Sequence, residues 1–291
     1  MVEFAVPEVD YTRYSNRQLV AVPLGVLAVA VLILVGWYVA FGTPVAMGID
    51  FTGGTQLRVG VDAPNGQGEG VIEDAFDQRI ESVQYVPAND EYIVTFGADV
   101  NADAIQSTAK SNGQLEYRGL NEVSAGFGAE VQQTALMGVG IAFVGMSLLV
   151  FVLFRSFVPS IAVVASAFSD IVIPLALMNL FGIQLSLGTV AALLMLIGYS
   201  VDSDILLNTH ILRRPGDFYE STYRAMRTGV TMTVTSLAAM LAMAITATVF
   251  GVQLLASIGI VLVFGLAADL MNTYMLNVTL LRWYKFEGVA R

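Results

Sequence analysis

The chain has 291 residues, of which 56% are hydrophobic and only 13% are charged. Soluble domains carry about 25% charged residues, so this composition indicates a membrane protein. Cysteine is absent and there is one histidine, which argues against disulfides, a thiol nucleophile and a thiolate or histidine metal site. Since no nucleophile–base set, phosphate loop or metal cluster occurs in the sequence, we expect no enzyme, cofactor or metal.

Six apolar runs are long enough to cross a bilayer, because a spanning helix needs about 20 mostly apolar residues. They cover residues 19–41, 131–154, 158–181, 185–212, 228–250 and 254–281. The last two form one charge-free run over 228–268, which is too long for one span, and residues 251–253 are the natural break. We predict that the first span stays uncleaved, since its apolar core exceeds the ~7–15 residues of a signal peptide.

The basic residues predict the orientation, because cytoplasmic flanks carry the excess of Lys and Arg. One side of the predicted bundle, which includes segments 1–18 and 282–291, holds 10 of the 14 basic residues. They are Arg13, Arg17, Arg155, Arg213, Arg214, Arg224, Arg227, Arg282, Lys285 and Arg291. The other four lie in segment 42–130. The sequence therefore predicts a multi-pass protein of the cell membrane with both termini cytoplasmic and 42–130 external.

Segment 42–130 has the pattern of a small α+β domain. Strand-like runs occupy 56–61, 83–86, 92–96 and 114–120, and helical spacing occupies 71–80 and 102–110. The order βαββαβ predicts a ferredoxin-like fold. The expected fold class is thus a polytopic α-helical membrane protein with six transmembrane helices and an external ferredoxin-like domain between the first two.

The negative charge is concentrated in the predicted external segment. Residues 50–130 contain 14 acidic and 4 basic residues, a balance of −10, which equals the net charge of the whole chain. Such a surface attracts cations or basic substrates, or it is a strongly solvated surface suited to a salty exterior. We expect no nucleic acid partner, because nucleic-acid binding needs a basic footprint.

Four aspartates interrupt the apolar runs, and a carboxylate at membrane depth costs about 2.5 to 3.5 kcal/mol on insertion scales. Asp202 and Asp204 lie about 200° apart around a helix. Asp204 shares its face with Ser200 and Asn208, which makes this stripe a candidate intramembrane ion relay. Asp202 faces elsewhere and could contact a partner. The alternative is that an aspartate pairs with Arg227 purely for assembly.

The other two intramembrane aspartates lie in the third and sixth predicted spans. Asp170 precedes Pro174 by four residues, which leaves its carbonyl without a helical N–H donor and predicts a local kink. A kinked, hydrated site would suit an ion relay, and a kink satisfied by water is the alternative. Asp269 belongs to no motif, and we predict a structural contact for it with a partner or a neighbouring Thr or Ser.

A glycine-rich octet follows the first predicted span. It reads Gly48, Ile49, Asp50, Phe51, Thr52, Gly53, Gly54 and Thr55. The octet resembles the signature of the SecD/SecF family of protein-export membrane proteins, in its SecF type. Segments 167–170 and 196–201 and the pair Arg227 and Thr228 resemble further family motifs in the third to fifth spans, and the predicted six-span layout is also the family's.

The resemblance implies a SecD partner, the Sec translocation channel, exported unfolded polypeptides as substrates, lipid contact and use of proton-motive force. Bacterial members usually carry Asn-Asp-Thr where this chain has Asp202, Ser203 and Asp204. A serine therefore occupies the usual carboxylate position, which indicates an archaeal-type member, and halophily would fit the acidic exterior. Two alternatives stay open: a non-transporting assembly or chaperone subunit of the translocase, and a subunit of a small-molecule transporter of the resistance-nodulation-division superfamily.

Overall fold

The computed structural model describes residues 10–63, 67–213 and 217–288. Residues 1–9 of the predicted cytoplasmic N-terminal segment, together with Arg214 and Arg291, lie outside the described residues. Within them, a short 3-10 turn at Tyr11–Arg13 precedes the first long helix.

Ten α-helices and four strands follow one another along the described chain. They are α1 (Asn16–Phe41), α2 (Ile49–Thr52), β1 (Gly54–Val61), α3 (Gly68–Ala75), β2 (Ile80–Val86), β3 (Glu91–Phe96), α4 (Ala102–Ser111), β4 (Leu115–Val123), α5 (Ala125–Phe154), α6 (Phe157–Leu180), α7 (Leu187–Arg213), α8 (Phe218–Val249), α9 (Gln253–Met271) and α10 (Val278–Trp283). A π-helical stretch, Asn272–Asn277, joins α9 to α10, and a second one, Tyr284–Gly288, follows α10.

The six predicted membrane helices are confirmed. They are α1, α5, α6, α7, α8 and the continuous run Gln253–Glu287 that begins with α9. The predicted break is also confirmed, since α8 ends at Val249, Gly251 adopts a positive φ of 68°, and α9 begins at Gln253. Glycine tolerates this left-handed backbone without steric cost.

Two helices begin earlier than the apolar runs indicated. The helix α5 begins at Ala125 rather than at 131, and α8 begins at Phe218 rather than at 228. The residues before them supply N-caps, because the side chains of Ser124 and Asp217 accept hydrogen bonds from backbone N–H groups of the first turn. Hydropathy misses such amphipathic helix ends, which extend into the polar flanks.

The ferredoxin-like domain predicted between the first two spans is confirmed, with the bounds of several of its elements corrected. Its four strands form an antiparallel sheet in the order β2-β3-β1-β4, which is the ferredoxin-like arrangement. The helix predicted over 71–80 ends at Ala75, because Ile80 already pairs with Phe96 in the sheet. The buried core beneath the sheet includes Leu57, Ile72 and Ile105.

The centre of the membrane bundle is formed by α6, α7 and α9. In the most apolar stretch of α6, 67% of the residues are buried within the chain. The corresponding share is 6% for α5 and 17% for each of α1 and α8. The inner helices also carry Asp170, Asp204 and Asp269. The peripheral helices α1, α5 and α8 therefore present broad apolar faces outward, and the carboxylates lie on the enclosed helices.

The helices α8 and α9 approach closely through small residues, which permit short backbone distances between membrane helices. A side-chain carbon at Gly259 would lie 2.9 Å from Cβ of Ala244 and 3.1 Å from its backbone. The sequence suggested a different packing stripe on α8, formed by Thr228, Thr231, Thr235, Ala238, Ala239 and Ala242. All six are exposed in the single chain, and a role in helix packing stays a prediction for them.

We expect Gly259→Val to destabilise the folded protein by about 1–3 kcal/mol, since overpacking at a backbone contact forces the helices apart. Gly138→Val on α5 is the matched control, because a carbon added at Gly138 would meet nothing within 4 Å. The measurement is thermal unfolding of the purified detergent-solubilised protein. Equal melting temperatures for the two variants would contradict the packing argument.

Candidate intramembrane carboxylate site

Three buried carboxylates meet in the centre of the bundle. Asp170 of α6, Asp204 of α7 and Asp269 of α9 are 1%, 0% and 2% exposed. Among the described residues, no Lys or Arg forms an ion pair with any of the three. The side-chain partners that the described residues supply to these carboxyl groups are hydroxyl and amide groups of neighbouring segments.

Asp170 is held by one residue from each of the other two inner segments. Ser200 Oγ of α7 donates to Asp170 Oδ2 at 2.6 Å, and Asn272 Nδ2 of the π-helical stretch donates to Oδ1 at 2.5 Å. The helix α6 continues through Pro174, so the proline removes the N–H that would bond the Asp170 carbonyl. This carboxylate thus links three segments at one point.

A single hydroxyl joins the other two carboxylates. Thr273 Oγ1 lies 3.0 Å from Asp204 Oδ1 and 3.1 Å from Asp269 Oδ1. Asn277 Nδ2 donates to the same oxygen of Asp204 at 2.7 Å, and Ser203 Oγ donates to Asp269 Oδ1 at 2.7 Å. Ser203 Oγ also lies 2.9 Å from the carbonyl oxygen of Ser200, whose hydroxyl bonds Asp170, so the three aspartates belong to one hydrogen-bonded network.

The π-helical stretch explains how one segment supplies so many of these groups. A π-helix adds a residue per turn and changes which side chains face inward, and it is often found at functional sites. Asn272, Thr273 and Asn277 of this stretch are all fully buried toward the network. Its Tyr274 carbonyl accepts a hydrogen bond from Tyr11 Oη at 3.0 Å, so the chain's N-terminal turn packs against it.

The network contains more oxygen contacts than hydroxyl protons. Ser203 Oγ lies close to the Ser200 carbonyl at 2.9 Å, to Asp269 at 2.7 Å and to Thr273 Oγ1 at 3.2 Å. Thr273 Oγ1 has two further carboxylate contacts. Each hydroxyl carries one proton, so two protons serve five contacts. A proton on Asp204 or Asp269 would provide an additional donor.

Several buried oxygens of the site receive no hydrogen bond from the described residues. They include Asp204 Oδ2, Asn208 Oδ1 and Asn277 Oδ1. Buried acceptors without donors call for a physical explanation, such as a protonated carboxyl, a water molecule or an ion. Together with the shared hydroxyls, these oxygens make the cluster suited to exchange a proton.

Four of the six candidate relay residues predicted from the sequence come together. Ser200 and Asp204 line the same buried stripe, as helical spacing predicted, and Ser200 reaches Asp170. Asn208 is buried on that stripe and donates to the Asp204 carbonyl at 2.7 Å. The predicted face is therefore confirmed as a position in the fold, while its relay role stays a prediction.

Asp202 and Arg227 lie elsewhere. Asp202 is exposed on the other face of α7, where it lines a cavity of about 450 Å³ between α7 and α8. Arg227 is exposed on α8, whereas the partners of the buried Asp204 carboxylate are Thr273 and Asn277. The alternative of an Asp204–Arg227 ion pair is corrected, because burial of Asp204 in the three-helix interior separates it from the exposed face of α8.

Sequence reasoning underestimated the sixth membrane helix. Asp269 contacts a Ser and a Thr, as predicted, but these contacts join it to the carboxylate network. Asn272, Thr273 and Asn277 were missed entirely. A signal existed, since polar residues at 269, 273 and 277 recur every four positions in an otherwise apolar run.

The glycine-rich octet packs closely against the end of the bundle at which α7 begins. Its residues Ile49–Thr52 form α2, in which Phe51 is buried and Thr52 Oγ1 donates to the Gly48 carbonyl at 3.2 Å. Asp50 Oδ2 accepts a hydrogen bond from the backbone N–H of Leu187 at 3.0 Å. The octet therefore holds the first turn of α7, the helix that carries Asp204.

The two glycines of the octet are required by close backbone approach. Gly53 and Gly54 have φ values of 76° and 145°. A side-chain carbon at Gly53 would lie 2.7 Å from the Ala125 backbone, and one at Gly54 would lie 2.6 Å from the Phe96 carbonyl oxygen. The start of β1 therefore packs directly against the backbone of α5 on one side and of β3 on the other.

The buried network and the octet lie within regions that match known family models. The model described as "Protein export membrane protein SecD/SecF, C-terminal" matches residues 103–287. The model described as "SecD/SecF GG Motif" matches residues 38–64. The chain belongs to the SecD/SecF family of protein-export membrane proteins.

Curated relatives narrow the type within the family. A protein-export membrane protein SecF of Haloferax volcanii is 68% identical, and one of Haloquadratum walsbyi is 64% identical, each over 100% of both chains. One of Pyrococcus furiosus is 39% identical over 97% of this chain and 99% of the relative. The haloarchaeal relatives support the expected archaeal type and the halophilic interpretation of the acidic exterior.

A solved structure shares the fold. The crystal structure of SecDF, a translocon-associated membrane protein from Thermus thermophilus, matches with a TM-score of 0.72 at 20% sequence identity. The match covers 96% of this chain and 39% of the SecDF chain. The present chain thus corresponds in fold to about two fifths of that longer protein.

We expect Thr273→Val to destabilise the protein by about 1–3 kcal/mol, because both buried carboxylates lose a hydrogen-bonding partner while side-chain volume is kept. Thr279→Val is the control on the same membrane run, since the partner that the described residues give to the Thr279 hydroxyl is the Met275 carbonyl one turn earlier, and not a carboxylate. Thermal unfolding in detergent measures the difference. A Thr279 variant as unstable as the Thr273 variant would argue against a bridging role.

Proposed function

We propose that this chain is a SecF-type subunit of the protein translocase that assists Sec-dependent export together with SecD and draws on an ion gradient. The buried network of Asp170, Asp204 and Asp269 is the observation that carries the proposal. Three carboxylates in a low-dielectric interior are costly when ionised without a counter-charge. Such a cluster is retained where protons or cations are bound and released.

The network also connects the inner helices to one another through hydrogen bonds. Ser200 connects α7 to Asp170, and Thr273 stands between Asp204 and Asp269. When a carboxyl gains or loses a proton, the shared hydroxyls must change the direction in which they donate. The preferred packing of α6, α7 and α9 then depends on the protonation state, which couples ion binding to helix position.

Partnership with SecD is supported by the outer surface of α7 and α8. Asp202 lies near the middle of α7, is exposed in the single chain, and shares its cavity with His210, Thr233 and Ser236. Lipid tails would leave this carboxylate without a partner. A second membrane subunit would cover it, in keeping with a chain that corresponds to two fifths of the SecDF protein.

A second candidate function is a non-transporting assembly subunit. Ser203 favours it, because this serine occupies the position of the usual bacterial carboxylate. Against it stands the hydrogen bond from Ser203 to Asp269, which brings a carboxylate from α9 to the same place. The two functions differ in whether an ion gradient changes export.

Reconstitution with SecD and the translocation channel in vesicles tests the proposal. We expect a gradient across the membrane to stimulate export, and Asp170→Asn or Asp204→Asn to reduce it to the level without a gradient. Asp202→Asn should act more mildly, since Asp202 is outside the network. Export is measured with a proton gradient and separately with a sodium gradient.

The controls separate mechanism from folding. Each variant must insert and co-purify with SecD as the parent does, because loss of the protein would report only on structure. Full gradient-dependent export in both Asp170→Asn and Asp204→Asn would overturn the relay. Export that no gradient stimulates, even in the parent, would favour the assembly subunit.

Orientation is a separate prediction. The distribution of basic residues supports cytoplasmic termini and an external sheet domain. A thiol reagent that cannot cross membranes should label Lys110→Cys, on the exposed surface of α4, from outside intact cells. It should label Arg224→Cys, near the opposite end of the bundle, only after permeabilisation. The absence of native cysteines makes each label specific, and the reverse pattern would invert the orientation.

A further inference from the structure

The external domain contacts the first turns of two helices of the carboxylate network. The helix α7 carries Asp204 and α9 carries Asp269, and both begin at the end of the bundle that faces the sheet domain. From its first residue to its carboxylate, each helix spans 16 or 17 positions, about 25 Å at the α-helical rise of 1.5 Å per residue.

The contact with α7 is extensive and made largely by backbone. Asp50 Oδ2 accepts from the Leu187 N–H. Just before it, the Gly48 N–H donates to the Leu185 carbonyl at 2.8 Å, and the Leu185 N–H donates to the Ala46 carbonyl at 2.7 Å. The octet that makes these bonds continues directly into β1. The sheet and the start of α7 are therefore firmly connected.

The contact with α9 is small and made by neutral side chains. Gln253, the first residue of α9, donates through its amide to Gln84 of β2 and lies 3.4 Å from the Gln56 amide of β1. Beside it, Val86 of β2 is 1% exposed and packs against Gly251, where no side chain would fit. The partners that the described part of the chain supplies to this contact are all neutral.

The two attachments thus differ in how easily they separate. Breaking the α7 junction requires loss of several backbone hydrogen bonds, whereas freeing α9 requires exchange of side-chain amide contacts for water and exposure of the single apolar side chain of Val86. Hydrogen bonds of exposed neutral side chains contribute little net free energy. A shift of α9 relative to α7 would therefore be taken up at the Gln84–Gln253 contact.

We propose that the external domain senses the position of α9 relative to α7 through this contact, with Asp50 as the fixed attachment and Gln253 and Gly251 as the releasable one. This inference rests on the proposed function, since it supplies the path from the carboxylates to the exterior. Rearrangement at Asp269 shifts α9, the contact between β2 and the α8–α9 turn opens, and the sheet domain turns about its α7 junction.

A reversible cross-link tests the proposal. A side-chain carbon at Gly251 would lie 3.2 Å from Cβ of Val86, close to the ~3.5–4.5 Å between the Cβ atoms of a disulfide. The chain has no cysteine of its own, so Val86→Cys combined with Gly251→Cys places a unique pair. The complex with SecD is oxidised in vesicles, assayed for export, then reduced and assayed again.

We expect the disulfide to form and to lower export at least fivefold, with recovery on reduction. Val86→Cys alone and Gly251→Cys alone, treated with the same oxidant, are the matched controls and should show no change on oxidation. Failure of the pair to form a cross-link would contradict the contact. A cross-linked protein that exports as fast as the same protein after the disulfide is reduced would contradict the opening of the contact. A merely structural role would not give loss and recovery in the same molecules.

A second pair keeps the test valid if Gly251→Cys distorts the left-handed turn. Gln84→Cys and Gln253→Cys joined by a short bifunctional thiol reagent lock the same contact, and unchanged export after joining would likewise overturn the proposal. Failure of the proposed function is distinct, because it appears as absence of a gradient effect in the cysteine-free parent. The cross-link result is a ratio within one preparation and is interpretable with or without that effect.

Discussion

The structure depends above all on hydrogen bonds to three carboxylates at membrane depth. These carboxylates have no basic partner among the described residues. Each is buried to 2% exposure or less, and an isolated ionised carboxylate would not persist in such surroundings. Ser200, Thr273 and Asn277 therefore have to converge on them, and their convergence specifies which faces of α6, α7 and α9 meet. The peripheral helices are free of this requirement and carry long apolar surfaces instead.

The π-helical stretch after α9 is the local device that makes this convergence possible. A regular α-helix repeats its facing positions every three or four residues, whereas the wider turn brings Asn272, Thr273 and Asn277 together to the interior. The Tyr274 carbonyl of this stretch accepts a hydrogen bond from the Tyr11 hydroxyl. Burial raises the pKa of Tyr11 above its usual range, which keeps its hydroxyl a hydrogen-bond donor at all ordinary pH values.

Ser203 is the residue at which this chain departs from the expected pattern of bacterial family members. The expected carboxylate position on α7 holds a hydroxyl, yet that hydroxyl is bonded to Asp269 from α9. A carboxylate from α9 therefore lies against the hydroxyl at this position of α7. The helix α9 therefore contributes a carboxylate to the site as well as packing contacts. The first residue of α9 also contacts β2 of the sheet domain.

Hydropathy and alternation in the sequence were sufficient for six helices, their order and the ferredoxin-like domain, because each pattern reflects local periodicity and burial. The octet and the Ser200–Asp204–Asn208 stripe could also be identified from the sequence, since their spacing is set within one element. What the tertiary structure alone decided is which elements share a site: that Asp269 joins Asp204 through Thr273, that Arg227 lies outside, and that Gln253 meets Gln84. These pairs lie far apart along the chain, and no local periodicity encodes the angle at which two helices cross or the turn at which a π-helix begins.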